Sequence, residues 1–233
     1  MNPQAERVLQ SLREVAAERS RRQADLGLDA RVHEVKRFQH ARFQRTYADL
    51  LASTRYARAA QFFLDDLYGP EDFTRRDEQF ARVVPGLVRL FPHEIVDTVV
   101  ALGQLHALSE QFDTAMGAVI TGPSIDDAQY GVAWRQVGRP ADRERQIDLM
   151  MAVGSALDRY TRNPLLRTSL RLMRRPAAAA GLGVLQAFLE RGFDTFRDMR
   201  GAQEFLDTVS RRERELAARL FAGATTALAA GAS

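Results

Sequence analysis

The chain has 233 residues, of which 45% are hydrophobic and 27% are charged, so it is long enough to bury a core as one large domain or two small ones. Its 33 basic and 30 acidic residues leave a formal charge of +3 and alternate in runs such as RRERELAAR, a pattern typical of solvated helix faces. Because the bases form no single stripe, we expect no specific binding of nucleic acid. No cysteine is present, which excludes disulfides, thiolate metal sites, iron–sulfur clusters and thiol nucleophiles in this chain.

Two stretches bear on where the protein works. The N-terminal residues MNPQAERVLQSLREVAAE are charged throughout and lack the apolar core of a secretory signal. The longest apolar stretch, PAAAAGLGVL, is far shorter than the roughly 20 residues that a membrane-spanning helix needs. We therefore expect a soluble cytoplasmic protein without a transmembrane segment.

Apolar residues recur at helical spacing along the whole chain, and no runs of valine and isoleucine between helices predict a sheet. About nine helices with short connections are expected, among them 29–52, 124–138, 164–175 and 177–199. Thr74 is predicted to cap a helix that bends or stops at Pro85, because proline removes a backbone donor. We predict one all-α domain over residues 1–221, in which the helix within 1–26 could be peripheral, and a disordered tail over 222–233.

One short stretch, FFLDDLYGPEDF, places four carboxylates among large apolar side chains. The helical period puts Asp65 on the face opposite Phe63, in water, whereas Asp66 lies about 60° from Phe63 and is expected to be partly buried. A buried carboxylate in the last turn of a helix needs a cation, because the negative end of the helix dipole disfavours it. Arg75, Arg76 or an arginine of an earlier helix could supply that cation. Asp66 is then either an ion-paired helix end or a carboxylate with a binding or catalytic role.

The segment RYARAAQFFLDDLYGPEDFTRRDEQFARVVPGLVRLFP resembles a family of uncharacterised bacterial proteins named for an FFLEELY motif. The motif positions in this chain are Phe62, Phe63, Leu64, Asp65, Asp66, Leu67 and Tyr68, with aspartate in place of both glutamates. The resemblance extends from about Val32 to Asp113. It implies a helical bacterial protein, and it implies no particular activity, so we expect the motif to be structural.

A second polar cluster lies in LHALSEQFD, where His106, Glu110 and Asp113 share one helix face at i, i+4 and i+7. His106 is either a core histidine hydrogen-bonded to Glu110 or a ligand of a metal or haem. Together with Asp66 these residues form a candidate polar site.

The chain lacks a complete sequence motif of the common cofactor-binding proteins. The chain lacks the Glu-x-x-His pairs of di-iron bundles, and it has no nucleophile elbow or P-loop. GLGVLQAFLERG imitates a dinucleotide fingerprint but lacks the third glycine and a preceding strand. We therefore expect no bound metal, haem or nicotinamide.

The segment RLMRRPAAAAGLGVLQAFL joins basic residues to small apolar ones. It is either a close-packed core helix or a surface that docks weakly on an acidic membrane or in a partner's groove. The docking arginines would be Arg171, Arg174 and Arg175 of this segment, together with Arg167, which precedes it.

These observations favour a non-enzymatic helical binding protein of the bacterial cytoplasm, whose ligand is a protein partner or an apolar molecule; a homo-oligomer is compatible with this. The alternative is a helical enzyme or a metal- or haem-binding protein with a polar site around Asp66, His106 and Asp113. A cavity on which these three side chains converge would favour the alternative.

Overall fold

The computed structural model describes residues 2–67, 69, 73–122 and 124–224, without the side chain of Leu67. All regular structure in these ranges is helical, which confirms the all-α prediction. The α-helices are α1 Pro3–Gln23, α2 Leu26–Thr46, α3 Ala48–Ala52, α4 Ala57–Phe62, α5 Thr74–Leu90, α6 His93–Val119, α7 Asp127–Val137, α8 Pro140–Thr161, α9 Pro164–Leu172, α10 Arg174–Ala179, α11 Gly183–Asp198 and α12 Gln203–Phe221. A π-helical turn at Phe63–Leu67 follows α4. Tyr68, residues 70–72 and the predicted tail from residue 225 onward lie outside the described residues.

The number of α-helices is higher than the nine or so expected, and the boundaries of two predicted helices are wrong. The predicted helix over 29–52 breaks at Tyr47 (φ −117°, ψ 26°), whose buried hydroxyl donates to Glu213 Oε1 at 2.7 Å. Downstream, the predicted boundary near residue 176 is also wrong, because α10 runs through it and the chain turns at Gly181 with φ +71°.

The helix that begins at Thr74 differs from the prediction at its N-cap and at Pro85. Phe73 occupies the N-cap position and makes no side-chain capping hydrogen bond, so Thr74 is the first helical residue and not the cap. The helix continues through Pro85 to Leu90. Val84 is fully buried in a core cluster with Val8 and Val100, and this packing on α1 and α6 outweighs the backbone hydrogen bond that proline removes.

Helix α6 lies at the centre of the bundle and packs against α1, α2 and α8. The N-terminal helix contributes Val8 and Val15, both buried, to the core. Gly117 allows the close approach of α2, because a Cβ atom at this position would lie 2.6 Å from Val32 Cγ2. The face of α6 toward α2 and α8 therefore lies deep inside the protein. Among the described helices, none is both long enough and apolar enough to cross a membrane.

Candidate ligand-binding cavity

The described apolar side chains at the start of the FFLDDLY segment lie in the core. Phe62, Phe63 and Leu64 are buried, and the Phe63 ring packs against Phe205 at 5.5 Å between centroids. Gly69 is required where this segment ends, because any Cβ atom there would collide with the carbonyl oxygen of Asp65. The segment thus forms a well-packed helix end.

The two adjacent aspartates of this segment have different surroundings. The side chain of Asp65 is 51% exposed and accepts a hydrogen bond from Gln61. Asp66 is 19% exposed and forms an ion pair with Arg191 of α11. None of the arginines considered from the sequence pairs with this carboxylate; Arg76 donates to the Asp66 carbonyl oxygen at 3.0 Å instead.

His106 on α6 binds an acid that the helical spacing did not indicate. Its Nε2 lies 2.8 Å from Asp77 Oδ2 of α5, so the expected partner Glu110 is wrong. Asp77 also accepts from Arg19 at 2.8 Å and from Arg76 at 3.2 Å. Burial alone would raise the pKa of Asp77, but the hydrogen bond with His106 and the neighbouring positive charges outweigh burial and lower the pKa to about 2.

Glu110 is the most heavily paired acid of α6. It is 3% exposed, and it accepts from Arg22 of α1 at 2.5 Å and from Lys36 of α2 at 2.8 Å. Burial opposes its ionisation, but Lys36 and Arg22 hold the pKa of Glu110 at about 2.

Asp113 lies one turn further along and has weaker partners. Gln39 donates to it at 3.1 Å, and Lys36 Nζ lies 3.5 Å away. Burial raises the pKa of Asp113 above the usual value, and the negative charge of Glu110 adds to this, against the opposing effect of Lys36. The face of α6 thus carries one fully paired carboxylate and one that is poorly compensated.

A cavity of about 90 Å³ lies along this face, between α2, α6, α7, α8 and α12. His106, Glu110 and Asp113 all line it, whereas Asp66 does not. Its other charged and polar lining residues are Lys36, Gln39, Arg42, Ser109, Tyr130, Trp134, Arg143, Gln146 and Glu213. We call this the charged cavity. The structure therefore brings together three of the four residues of the polar site predicted from the sequence.

Arg143 of α8 is the most unusual residue of the charged cavity. It is only 5% exposed, and its guanidinium carbon lies 3.5 Å from the ring centroid of Phe112 and 3.7 Å from that of Trp134. No carboxylate of the described residues lies within ion-pair distance of it. Burial lowers the pKa of Arg143 to about 10, with only partial opposition from Tyr130 and Asp113, so the group is still charged at neutral pH.

Four buried N–H donors belong to residues that line the charged cavity and have no acceptor among the described residues. They are Arg42 Nε, Arg143 Nε, Arg143 Nη2 and Trp134 Nε1. Arg42 also donates to Glu213 at 2.5 Å through Nη1, so only part of its guanidinium is satisfied. Each buried donor left unpaired costs about 1 to 3 kcal/mol. The wall is consequently suited to a ligand that supplies acceptor oxygens.

Neither Trp134 nor Arg143 was identified as a site residue from the sequence. A usable signal for Arg143 existed, because it precedes Ile147 by four residues and Met150 by seven and therefore lies on the apolar face of its helix. No group of three or more histidine, aspartate or glutamate side chains suited to hold a metal ion occurs in the part of the chain that the structure describes.

The basic segment forms surface helices and not the close-packed core helix considered from the sequence. Over residues 171–189 only Ala177 and Leu185 are buried, and Leu172 and Met173 are largely exposed. Two of the four arginines are paired, Arg167 with Asp194 at 3.0 Å and Arg174 with Glu190.

Comparison with known proteins gives a family without an assigned activity. Neither the curated proteins nor the solved structures include a match to this chain. A family model described as "Domain of unknown function (DUF8198)" matches residues 18–227, a range that includes the FFLDDLY positions and the charged cavity. The chain therefore belongs to the DUF8198 family.

Proposed function

We propose that the protein is a non-enzymatic binding protein whose charged cavity takes a small ligand with an anionic group. The observation that carries this proposal is the set of four buried donors without an acceptor, on Arg42, Arg143 and Trp134. A ligand with acceptor oxygens would satisfy these donors and recover the free energy that they cost when unpaired.

The charge balance of the network supports an anion. The cations of the linked ion pairs and of the cavity wall are Arg19, Arg22, Lys36, Arg42, Arg76 and Arg143. The acids are Asp77, Glu110, Asp113 and Glu213. Cations outnumber carboxylates, and burial further favours the neutral form of Asp113. A buried excess of positive charge is unfavourable without a counter-ion, so binding of an anion would relieve it.

The polar groups of α6 support binding more than catalysis. His106 is engaged by Asp77, and Glu110 is engaged by Arg22 and Lys36. A ligand would meet charges held in fixed positions, which orient it. The alternative, an enzyme built on Asp66, His106 and Asp113, has less support because Asp66 pairs with Arg191 away from the cavity.

The proposal includes a bacterial origin and a cytoplasmic location. The FFLDDLY stretch matches the FFLEELY motif except for two aspartates, which supports a bacterial origin. The cysteine-free composition is compatible with the reducing cytoplasm.

Trp134 provides a direct test, because it is the single tryptophan of the chain and lines the charged cavity. We would titrate the protein with acetate, benzoate and inorganic phosphate and follow the fluorescence of Trp134. We expect a saturable change with at least one of these anions, and an affinity at least about tenfold lower in Arg143→Met, since each charge-assisted hydrogen bond contributes roughly 1.5 to 3 kcal/mol.

Arg145→Met is the matched control, because Arg145 lies on the same helix but is exposed and does not line the charged cavity. We expect it to bind like the wild type. If none of the anions changes the fluorescence or the melting temperature of the wild type, or if both variants behave alike, the proposal is wrong.

A further inference from the structure

A second cavity, also of about 90 Å³, adjoins the charged cavity. Its wall comes from α1, α5, α6, α8 and α11, and most of the surface that it presents is apolar. The apolar side chains that line it include Leu12, Phe80, Leu102, Leu105, Leu185 and Phe188. We call this the apolar cavity. A charged compartment and an apolar one thus lie side by side in the same bundle.

The two cavities share His106, Ser109 and Met150 as wall residues. The two polar members are held in place: His106 by Asp77, and Ser109 by a donor hydrogen bond to the Leu105 carbonyl at 2.9 Å and an acceptor bond from Gln146 at 2.8 Å. Met150 is unbranched, and methionine adapts its shape readily to a neighbour. Met150 is the apolar member of this shared wall, so an alkyl chain that extends from one cavity into the other would lie beside it.

The free edge of Arg143 selects the kind of anion. The rings of Phe112 and Trp134 pack against its guanidinium, and its unpaired nitrogens, Nε and Nη2, form one edge of that planar group. Two parallel N–H groups on such an edge match the two oxygens of a carboxylate. Glu110 and Glu213 also line the cavity, and their negative charge would disfavour a doubly charged group such as phosphate.

We propose that the ligand is an alkyl carboxylate, with its carboxylate on the free edge of Arg143 and its unbranched chain passing Met150 into the apolar cavity. This inference rests on the proposed function and adds the chemical class of the ligand. In this ligand the carboxylate would bind in the charged cavity and the alkyl chain would bind in the apolar cavity.

Calorimetric titration of the full chain with acetate, butanoate and octanoate tests whether the alkyl chain of the ligand contributes to binding. Each methylene group that enters the apolar cavity should tighten binding about threefold to fourfold, so octanoate should bind at least about 100-fold more tightly than acetate. Inorganic phosphate and 1-octanol, which lack the right head group, should both bind at least about tenfold more weakly than octanoate.

Two variants assign the tail to the apolar cavity. Leu189→Asp places a charge at the rim of that cavity, at a position exposed enough to tolerate it. It should weaken octanoate at least about tenfold and leave acetate unchanged. Leu172→Asp is the control, because Leu172 is more exposed and lines neither cavity.

The outcomes separate this inference from the proposed function. If acetate and octanoate bind with equal affinity and both depend on Arg143, the proposed anion-binding function is supported, and the proposal that the ligand carries an alkyl chain is wrong. If octanol or phosphate binds as tightly as octanoate, the proposal that the head group is a carboxylate is wrong. If the two leucine variants have equal effects, the proposal that the alkyl chain lies in the apolar cavity is wrong. If no carboxylate binds, the inference fails, and the anion-binding function is decided by the phosphate arm of the Trp134 titration.

Discussion

The FFLDDLY segment and the charged cavity both set arginines and carboxylates against aromatic side chains. In the segment, the buried groups are apolar and the polar groups are satisfied: Asp66 pairs with Arg191, and Asp65 reaches water. In the cavity, Arg143 is 5% exposed and has neither an ion pair nor an acceptor for two of its nitrogens among the described residues. The carboxylates that are conspicuous in the sequence are thus paired or solvated, whereas Arg143, which belongs to no recognisable motif, occupies the energetically costly position that we propose for a binding group.

Within the cavity wall itself, Glu110 is the residue whose loss should matter most to the fold. Glu110→Gln would leave Arg22 and Lys36 buried without their counter-charge, so we expect it to lower the free energy of unfolding by about 3 to 5 kcal/mol. Urea denaturation at neutral pH measures this from the shift of the midpoint at constant slope.

Asp113→Asn is the matched control, one turn further along the same helix. Burial disfavours the ionised form of Asp113, so removing its charge should change the free energy of unfolding by less than about 1 kcal/mol. Equal losses in the two variants would show that the two acids do not differ as their surroundings indicate.

Acid should weaken the fold through the same carboxylates. The pKa of Glu110 falls from 4.5 to about 2 on folding, so its contribution is fully present above pH 4.5 and is lost as the pH falls toward 2. The expected loss is on the order of 3 kcal/mol, and Asp77 adds a loss over a similar range. The raised pKa of Asp113 acts in the opposite direction, because its protonation on acidification favours the folded state.

The measurement is a series of urea melts between pH 6 and pH 2.5 on the wild type and Glu110→Gln. We expect the variant to lose less stability on acidification than the wild type. Parallel profiles for the two proteins would contradict the assignment of Glu110 as a main source of acid sensitivity.

Substitutions in the FFLDDLY segment should change the free energy of unfolding the least. Asp66→Asn removes a partly buried carboxylate whose partner, Arg191, is 55% exposed, so the loss of stability should be about 1 kcal/mol. Asp65→Asn should change stability by less than about 0.5 kcal/mol, because this side chain lies in water. Urea midpoints of the two variants test the difference, and a larger loss for Asp65→Asn would reverse the assignment of the two helix faces.

Much of the fold follows from the sequence because helical periodicity is a local property. The apolar spacing predicts the all-α class, and the shared face of His106, Glu110 and Asp113 predicts that they line one surface. The break at Tyr47 could not be predicted from local spacing, because the hydroxyl of Tyr47 is buried against Glu213, 166 residues further along the chain.

The proposed binding group, Arg143, was partly predictable from the sequence. The position of Arg143 on an apolar helix face is visible in the sequence, and it indicates a buried arginine. Whether that arginine has a partner depends on α6 and α7, which pack the rings of Phe112 and Trp134 against its guanidinium and supply no acceptor to Nε and Nη2 among the described residues. Such an arrangement is decided by tertiary packing, so periodicity alone does not reveal it.

The central claim is that Arg143 is present for a ligand and not for the fold, and the unfolding free energy of Arg143→Met tests it most directly. Replacing a buried, unpaired charge by an apolar side chain of similar length should leave the stability of the ligand-free protein unchanged or raise it by up to about 2 kcal/mol. At the same time, the stabilisation that octanoate gives the wild type should disappear. A loss of more than about 2 kcal/mol in Arg143→Met, with octanoate still stabilising the variant as it does the wild type, would show instead that Arg143 supports the core.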